Sequence, residues 1–177
     1  MNPDTLTLTT LRPDMRDALI DYAAEFSAAG EPRHAHITVE MTQEEYTELL
    51  RKQKANSQGE HLPPGRVPET VFFLVRDGSY VIGSSRLRHT LTPSLENEGG
   101  HIGYDIRPLQ RGKGYATLLL NLVLEEARRL GLSRVLVTCD ETNIASARVI
   151  EKNGGKLIDK VAAEEGGQLV RRYWIEL

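Results

Sequence analysis

Arg111, Gly112, Lys113 and Gly114 stand together directly ahead of a long segment with helical periodicity. The first turn of a helix has four backbone N–H groups without intrahelical partners and about half a positive charge from its aligned peptide dipoles. Glycines let those amides approach a ligand with no Cβ in the way, and Arg111 and Lys113 add formal charge. Together these features suit a phosphate or pyrophosphate. The plainer reading is a turn carrying two solvated bases. Two familiar phosphate loops fit poorly. A P-loop needs Ser or Thr after its lysine, whereas Gly114 follows Lys113. A dinucleotide fingerprint wants a third glycine where Thr117 stands, and no acidic residue is well placed for a ribose.

The run just upstream, His101 to Ile106, offers groups that move protons. It alternates as a strand, with Ile102, Tyr104 and Ile106 on one face and His101, Gly103 and Asp105 on the other. The His101 imidazole has the right pKa for base work near neutrality, and the Tyr104 phenol is a candidate acid. On a regular strand only one of the two faces a given site. Further upstream, Glu25 and Glu31 could hold a cationic substrate or simply form a solvated helix face. His34 and His36 alternate, but two histidines without a third ligand are a weak metal signal, and no metal is expected.

Several elements must position these groups. Thr5–Pro13 reads as a strand, followed by a helix with Asp14 as N-cap and Gly30 at its end. Thr42 and Glu45 form a capping-box pattern at the head of a second helix. Residues 55–69, rich in Pro and Gly, read as a long irregular loop, and residues 90–100 as another. Two β-rich runs around Asp77-Gly78 read as a hairpin. The strand 101–106, the helix 112–130 and the strand 134–139 make a βαβ unit with parallel strands, whose ligand crevice lies at the strands' carboxyl ends. The glycine loop sits at that end. A short helix follows with Thr142 or Asn143 near its cap. Two closing strands, 156–161 and 169–177, pair through a turn at 164–168.

Composition bounds the reading. The 177 residues carry a formal net charge of −3, so no basic field exists to hold nucleic acid nonspecifically. Cys139 is the single cysteine, which rules out an intrachain disulfide and fits a reducing compartment. No run approaches a membrane span, and the first residues lack the pattern of a secretory signal. The expectation is a cytoplasmic, single-domain protein over 1–177, with no nucleic-acid or membrane partner.

The glycine loop and the later short helix together resemble the GNAT superfamily of acetyl-CoA-dependent N-acetyltransferases. Arg111–Ala116 (RGKGYA) is similar to that family's R/Q-x-x-G-x-G/A element, and the preceding IRPLQ to its lead-in. Asn143–Gly155 (NIASARVIEKNGG) is similar to its second block at Asn143, Ser146, Glu151, Lys152 and Gly154. The resemblance implies an α/β (α+β) fold: a mixed, mostly antiparallel sheet of about seven strands with helices on both faces, its parallel βαβ unit splayed to admit CoA. It implies acetyl-CoA as co-substrate and the primary amine of a small molecule or peptide as acceptor, attacking directly without a cysteine nucleophile. Cys139 is then a core residue. It implies pantetheine alongside the 101–106 strand near Tyr104 and Ile106, the pyrophosphate on the amides of Arg111, Gly112, Lys113, Gly114, Tyr115 and Ala116, and Asn143 on the pantetheine arm or the 3′-phosphate side. Dimers are common in the family, so a homodimer belongs with these expectations.

The chain departs from the family at one place. Ile150 stands where many members carry a tyrosine that protonates the leaving thiolate. Tyr104 is the favoured substitute acid, and His101 a candidate base. The departure also motivates the alternative of a non-catalytic acyl-CoA-binding module.

Overall fold

The computed structural model describes residues 5–163 and 166–177. In chain order the strands are β1 (Leu6–Thr9), β2 (Glu69–Arg76), β3 (Tyr80–Arg88), β4 (Ile102–Ile106), β5 (Arg134–Asp140), β6 (Lys156–Ala162) and β7 (Leu169–Glu176). The helices are α1 (Arg16–Ala28), α2 (Gln43–Gln58), α3 (Pro93–Asn97), α4 (Tyr115–Arg129) and α5 (Ile144–Lys152). The strands form one sheet in the order β1-β2-β3-β4-β5-β7-β6. Every neighbouring pair is antiparallel except β4 and β5, which are parallel.

Strand alternation gives the sheet two apolar faces and so two cores. Leu74, Ile82 and Ile102 turn toward α4 and α5 and pack with Leu119, Leu120, Val123 and Ile150. Their neighbours Phe73, Val75 and Val81 turn the other way, against Leu19, Tyr22 and Phe26 of α1 and Tyr46 of α2. The helices therefore cover both faces of the sheet.

Three local expectations change. Asp14 does not cap α1: Pro13 opens a 3-10 turn through Met15, and the Asp14 carboxylate bonds Arg12 instead. The residue before α1 is Met15, which makes no side-chain cap. The helix headed by Thr42 has the capping box but runs on through Gln58, where Gly59 ends it at φ 74°. Residues 55–58 are thus helix rather than loop. The 90–100 segment contains α3, whose Thr92 side chain accepts the Leu95 amide. In the last turn, the expected 164–168 connection falls partly on Glu164 and Glu165, outside the described residues. Its described end pairs the Ala163 amide with the Gln168 carbonyl.

The feature that shapes the site is the β4–β5 junction. β4 pairs with β3 along its whole length, from Ile102 opposite Leu87 to Ile106 opposite Gly83. Against β5 its pairing is limited to Ile102 opposite Val137. Beyond that point the two strands part, and β4 presents an open edge over Gly103–Ile106. Gly100 sits where the chain enters β4, and a Cβ there would lie 2.5 Å from the Leu136 carbonyl oxygen. That close approach, together with a φ of 59°, requires glycine.

Candidate active site

At the far end of β4 the chain passes through a short 3-10 turn into the glycine loop. Gly112 has φ 75° and Gly114, the N-cap of α4, has φ 85°. Side chains other than glycine rarely adopt this left-handed region. Nothing in the protein would touch a Cβ at either position. The glycines are thus required by backbone conformation, and the space in front of them is open. Among the described residues, no carbonyl receives the amides of Gly112 through Ala116. Tyr115 and Ala116 supply the first turn of α4. Free donors of this kind at a helix N-terminus suit an anion.

The two basic side chains are used differently from the sequence expectation. Arg111 turns back from the loop mouth: its Nε donates to the Ile106 carbonyl at 3.0 Å, and its two terminal nitrogens meet Glu31 at 2.6 and 2.8 Å. Lys113 donates to the Leu109 carbonyl at 3.0 Å and to Gln110 at 3.1 Å. The cradle is therefore built of amides, with both charges held just behind it. Glu31 is taken by Arg111. Glu25 is likewise occupied, by Arg107 Nε at 2.8 Å and by the Leu109 amide at 2.7 Å. Both acids are thus held in ion pairs, Glu31 at the surface and Glu25 half-buried, and neither is a free cation holder. Arg107, almost fully buried, also bonds Asp21 at 2.7 Å and the Val81 carbonyl at 3.0 Å, and lies over the Tyr80 ring.

The opening between β4 and β5 leads into a cleft of about 550 Å³ lined from both sides of the sheet. Tyr104, Cys139, Asn143 and Ser146 line one wall, and Arg33, His34, Ser84 and Asp105 another. The Tyr104 hydroxyl lies 2.8 Å from Ser146 Oγ, and burial pushes the phenol up to about 12. Asn143 caps α5, its Oδ1 accepting the Ser146 amide at 3.0 Å. Ile106 is buried in the core below α4, and Arg111 takes its carbonyl. Burial raises the Cys139 thiol, whose side chain belongs to the same core. Ile150 is fully buried in α5, and a Cβ on Gly155 would press against it at 2.4 Å. No hydroxyl reaches the cleft from that position.

His101 is placed apart from Tyr104. Its Nδ1 accepts the Leu136 amide at 2.9 Å, and its own amide donates to the Leu136 carbonyl at 2.7 Å. Its ring faces Trp174 at 6.2 Å. Burial, with the Arg88 charge adding to it, pushes the imidazole down to about 4. The ring fastens β4 to β5 just before they part, and it is not among the residues lining the cleft. His89 is engaged with Thr70 and Tyr173 with Glu151.

The cluster that sequence reasoning missed surrounds Asp105. Its Oδ1 accepts the Tyr22 hydroxyl and, at 3.0 Å, the Ser84 hydroxyl. Its Oδ2 meets His34 Nε2 at 3.2 Å and Arg33 at 3.7 Å. Burial opposes ionisation here, but the bonds from His34, Tyr22 and Ser84 outweigh it and hold the carboxyl below its usual range. Alternation placed Asp105 opposite Tyr104, and a carboxylate there is a candidate water-mediated base by its type; partners 71 and 83 residues away leave no signal of the web around it. Among the described residues, no group of three or more His, Cys, Asp or Glu could hold a metal ion, and no helix is long and apolar enough to cross a membrane.

Comparison with known proteins agrees with this geometry. No curated protein sequence matches the chain. Among solved structures, it is similar to RimL, a ribosomal L7/L12 alpha-N-protein acetyltransferase in complex with coenzyme A, at TM-score 0.71 and 19% identity over 98% of this chain and 94% of that one. It is similar to Mycobacterium smegmatis RimJ, solved with a CoA disulfide, at TM-score 0.71 and 16% identity over 97% and 81%. It is also similar to the microcin C7 self-immunity acetyltransferase MccE, in complex with acetyl-CoA and AMP, at TM-score 0.70 and 14% identity over 99% and 94%. At these identities the likeness is one of fold. The family model described as an acetyltransferase (GNAT) domain matches residues 5–156, and with the split sheet and amide cradle in place the chain belongs to the GNAT family of acyltransferases.

Proposed function

We propose that the protein moves an acetyl group from acetyl-CoA to a primary amine of a small molecule or peptide. The observation that carries this reading is the open edge of β4 ending at a cradle of amides that no carbonyl of the described residues receives. Pantetheine extends along Gly103–Ile106 as an added strand would, using the alternate amides and carbonyls that face the opening. The pyrophosphate sits on the amides of Gly112 to Ala116. A β4 amide polarises the thioester carbonyl, as an oxyanion site does. Asn143, on the wall beside Ser146, contacts the pantetheine arm. The acceptor enters from the α1 side, and its nitrogen attacks directly. The C–S bond breaks, and Tyr104, bonded to Ser146, returns a proton to the thiolate. An acetylated ribosomal protein is named for RimL, which favours including peptide amines among the acceptors tested. The reading extends to one domain over 1–177 acting in the cytoplasm. A homodimer belongs to it as a further point to measure.

Calorimetry of acetyl-CoA with the wild type and with Gly114→Trp tests this. The wild type should bind and the variant should not, because its side chain fills the cradle. An absence of measurable binding by the wild type defeats the reading. Steady CoA release with a panel of primary amines then separates transfer from mere binding. The second reading, a non-catalytic acyl-CoA-binding module, draws on the apolar Ile150 in place of an acid. It predicts binding with no release.

A further inference from the structure

The loop between α1 and α2 places an imidazole on the acceptor side of the cleft, and its surroundings are those of an oriented base. His34 has a φ of 60°, an uncommon conformation for a residue with a side chain. Such conformations persist where surrounding contacts over-determine them, and they cluster at functional sites. Here the contacts are clear. The ring lies 5.1 Å from both the Tyr22 and Phe26 rings. Its Nε2 lies 3.2 Å from Asp105 Oδ2. Asp105 is itself fixed by Tyr22 and Ser84 through its other oxygen. A carboxylate held ionised in this way can only accept, so Nε2 carries the proton and Nδ1 keeps the basic lone pair. Among the described residues, no side chain bonds Nδ1. The ring is partly exposed and lines the cleft with Tyr104 and Asp105.

We propose that His34 is the base that deprotonates the acceptor ammonium, with Asp105 as the residue that positions it. The assignment rests on the acetyltransfer reading above. Nδ1 takes one proton from the ammonium, directly or through a water. The freed nitrogen lone pair forms the new C–N bond at the thioester carbon. The tetrahedral adduct collapses with loss of the C–S bond and of a second proton from nitrogen. One proton ends on the CoA sulfur and one leaves from His34 to solvent, so acetyl-CoA and an ammonium give an amide, CoA thiol and one proton. The charged and titratable groups around the ring are Tyr22 from α1, Asp105 from β4, and Arg33 beside it in the loop. His36 lies further along the same loop, while β3 and α2 present Ser84, Arg86 and Gln53 to the same cleft.

Two measurements test the assignment. Nitrogen NMR of selectively labelled His34, followed through a pH titration, should show that the neutral form of the ring carries its proton on Nε2 and leaves Nδ1 bare; the opposite tautomer overturns it. The second measurement is kcat/KM for CoA release by wild type and His34→Gln, with a panel of peptide and diamine acceptors, across pH 6.5 to about 9.5. Glutamine can still bond Asp105 but cannot accept the proton. The variant should lose about 10²-fold at neutral pH, and the loss should shrink as rising pH deprotonates the amine without help. A loss that is constant with pH, or no loss, overturns the assignment and leaves acetyltransfer standing. A wild type that binds no acetyl-CoA, or binds it and releases none with any amine, defeats both readings. Unchanged acetyl-CoA affinity of His34→Gln, by calorimetry, locates the defect on the acceptor side.

Discussion

The two faces of β4 use neighbouring polar residues in opposite ways. Tyr104 points toward α5 and has Ser146 as its side-chain partner. Asp105 points toward α1 into a web of Tyr22, Ser84, His34 and Arg33. One face holds a neutral acid with a single hydroxyl neighbour, and the other holds an ionised carboxylate with every oxygen occupied. Burial acts on both groups, yet only the web overcomes it. The strand therefore delivers two chemically distinct walls from consecutive residues, and one cleft, where β4 parts from β5, is lined by both.

The largest expected effect bears on the amide cradle proposed to hold CoA. Gly112→Val forces a β-branched residue into φ 75° and disturbs the loop amides. Losing about two charge-assisted bonds should weaken CoA binding by about 10²-fold, read by calorimetry; near-native affinity would detach the cradle from the comparison. Tyr104→Phe comes next. It should lower kcat by about 10²-fold while CoA affinity stays within a factor of about three, roughly 0.6 kcal/mol. Equal losses in both would make Tyr104 a binding group and remove the contrast between the faces.

A third test concerns the histidine that lies outside both walls. His101 has its imidazole lowered from 6.5 to about 4 in the folded state. Below pH 6.5 the unfolded chain gains a proton that the folded chain refuses, so this contribution is fully present above the unfolded value and is lost as pH falls toward the folded one. Urea unfolding should show a loss of about 2 kcal/mol between pH 7 and pH 5 from this group. His101→Gln should flatten that portion of the profile. A profile unchanged by the substitution would return His101 to the list of accessible bases. The smallest effect is expected for Cys139→Ala. Direct attack needs no thiol, so turnover should stay within a factor of about two while stability falls by about 1 kcal/mol. Loss of turnover with retained stability would give the Tyr104 wall a second chemical group.

The sequence made legible whatever is encoded locally. The Thr42–Glu45 capping box, the Asp77-Gly78 hairpin and the βαβ unit all appear because caps, turn residues and periodicity act over a few residues. Both apolar faces of the sheet follow from simple alternation. Boundaries were less visible. Residues 56–58 are polar but helix-compatible and Ala55 favours helix, so nothing before Gly59 marks the end of α2. Pro13 moves the start of α1 past Asp14 by opening a 3-10 turn, a local competition that the cap pattern conceals. For the site, the cradle was readable from its glycines, but the fate of its charges was not. Arg111 finds Glu31 across 80 residues, and Tyr22 finds Asp105 across 83. Such pairings exist only once both cores have closed.

Arg107 and Arg111 lie on either side of the short turn that leads into the cradle. One is buried against Asp21 and Glu25 and the other is clamped on Glu31. All three acids belong to α1 or to the segment just after it. The helix that carries Tyr22 beneath Asp105 and the segment after it are thereby bolted at three points to the turn that leads into the glycine loop. On the acetyltransfer reading, most of the ordering entropy of the two half-sites is then spent during folding rather than at encounter, and each ligand would meet a surface already in shape.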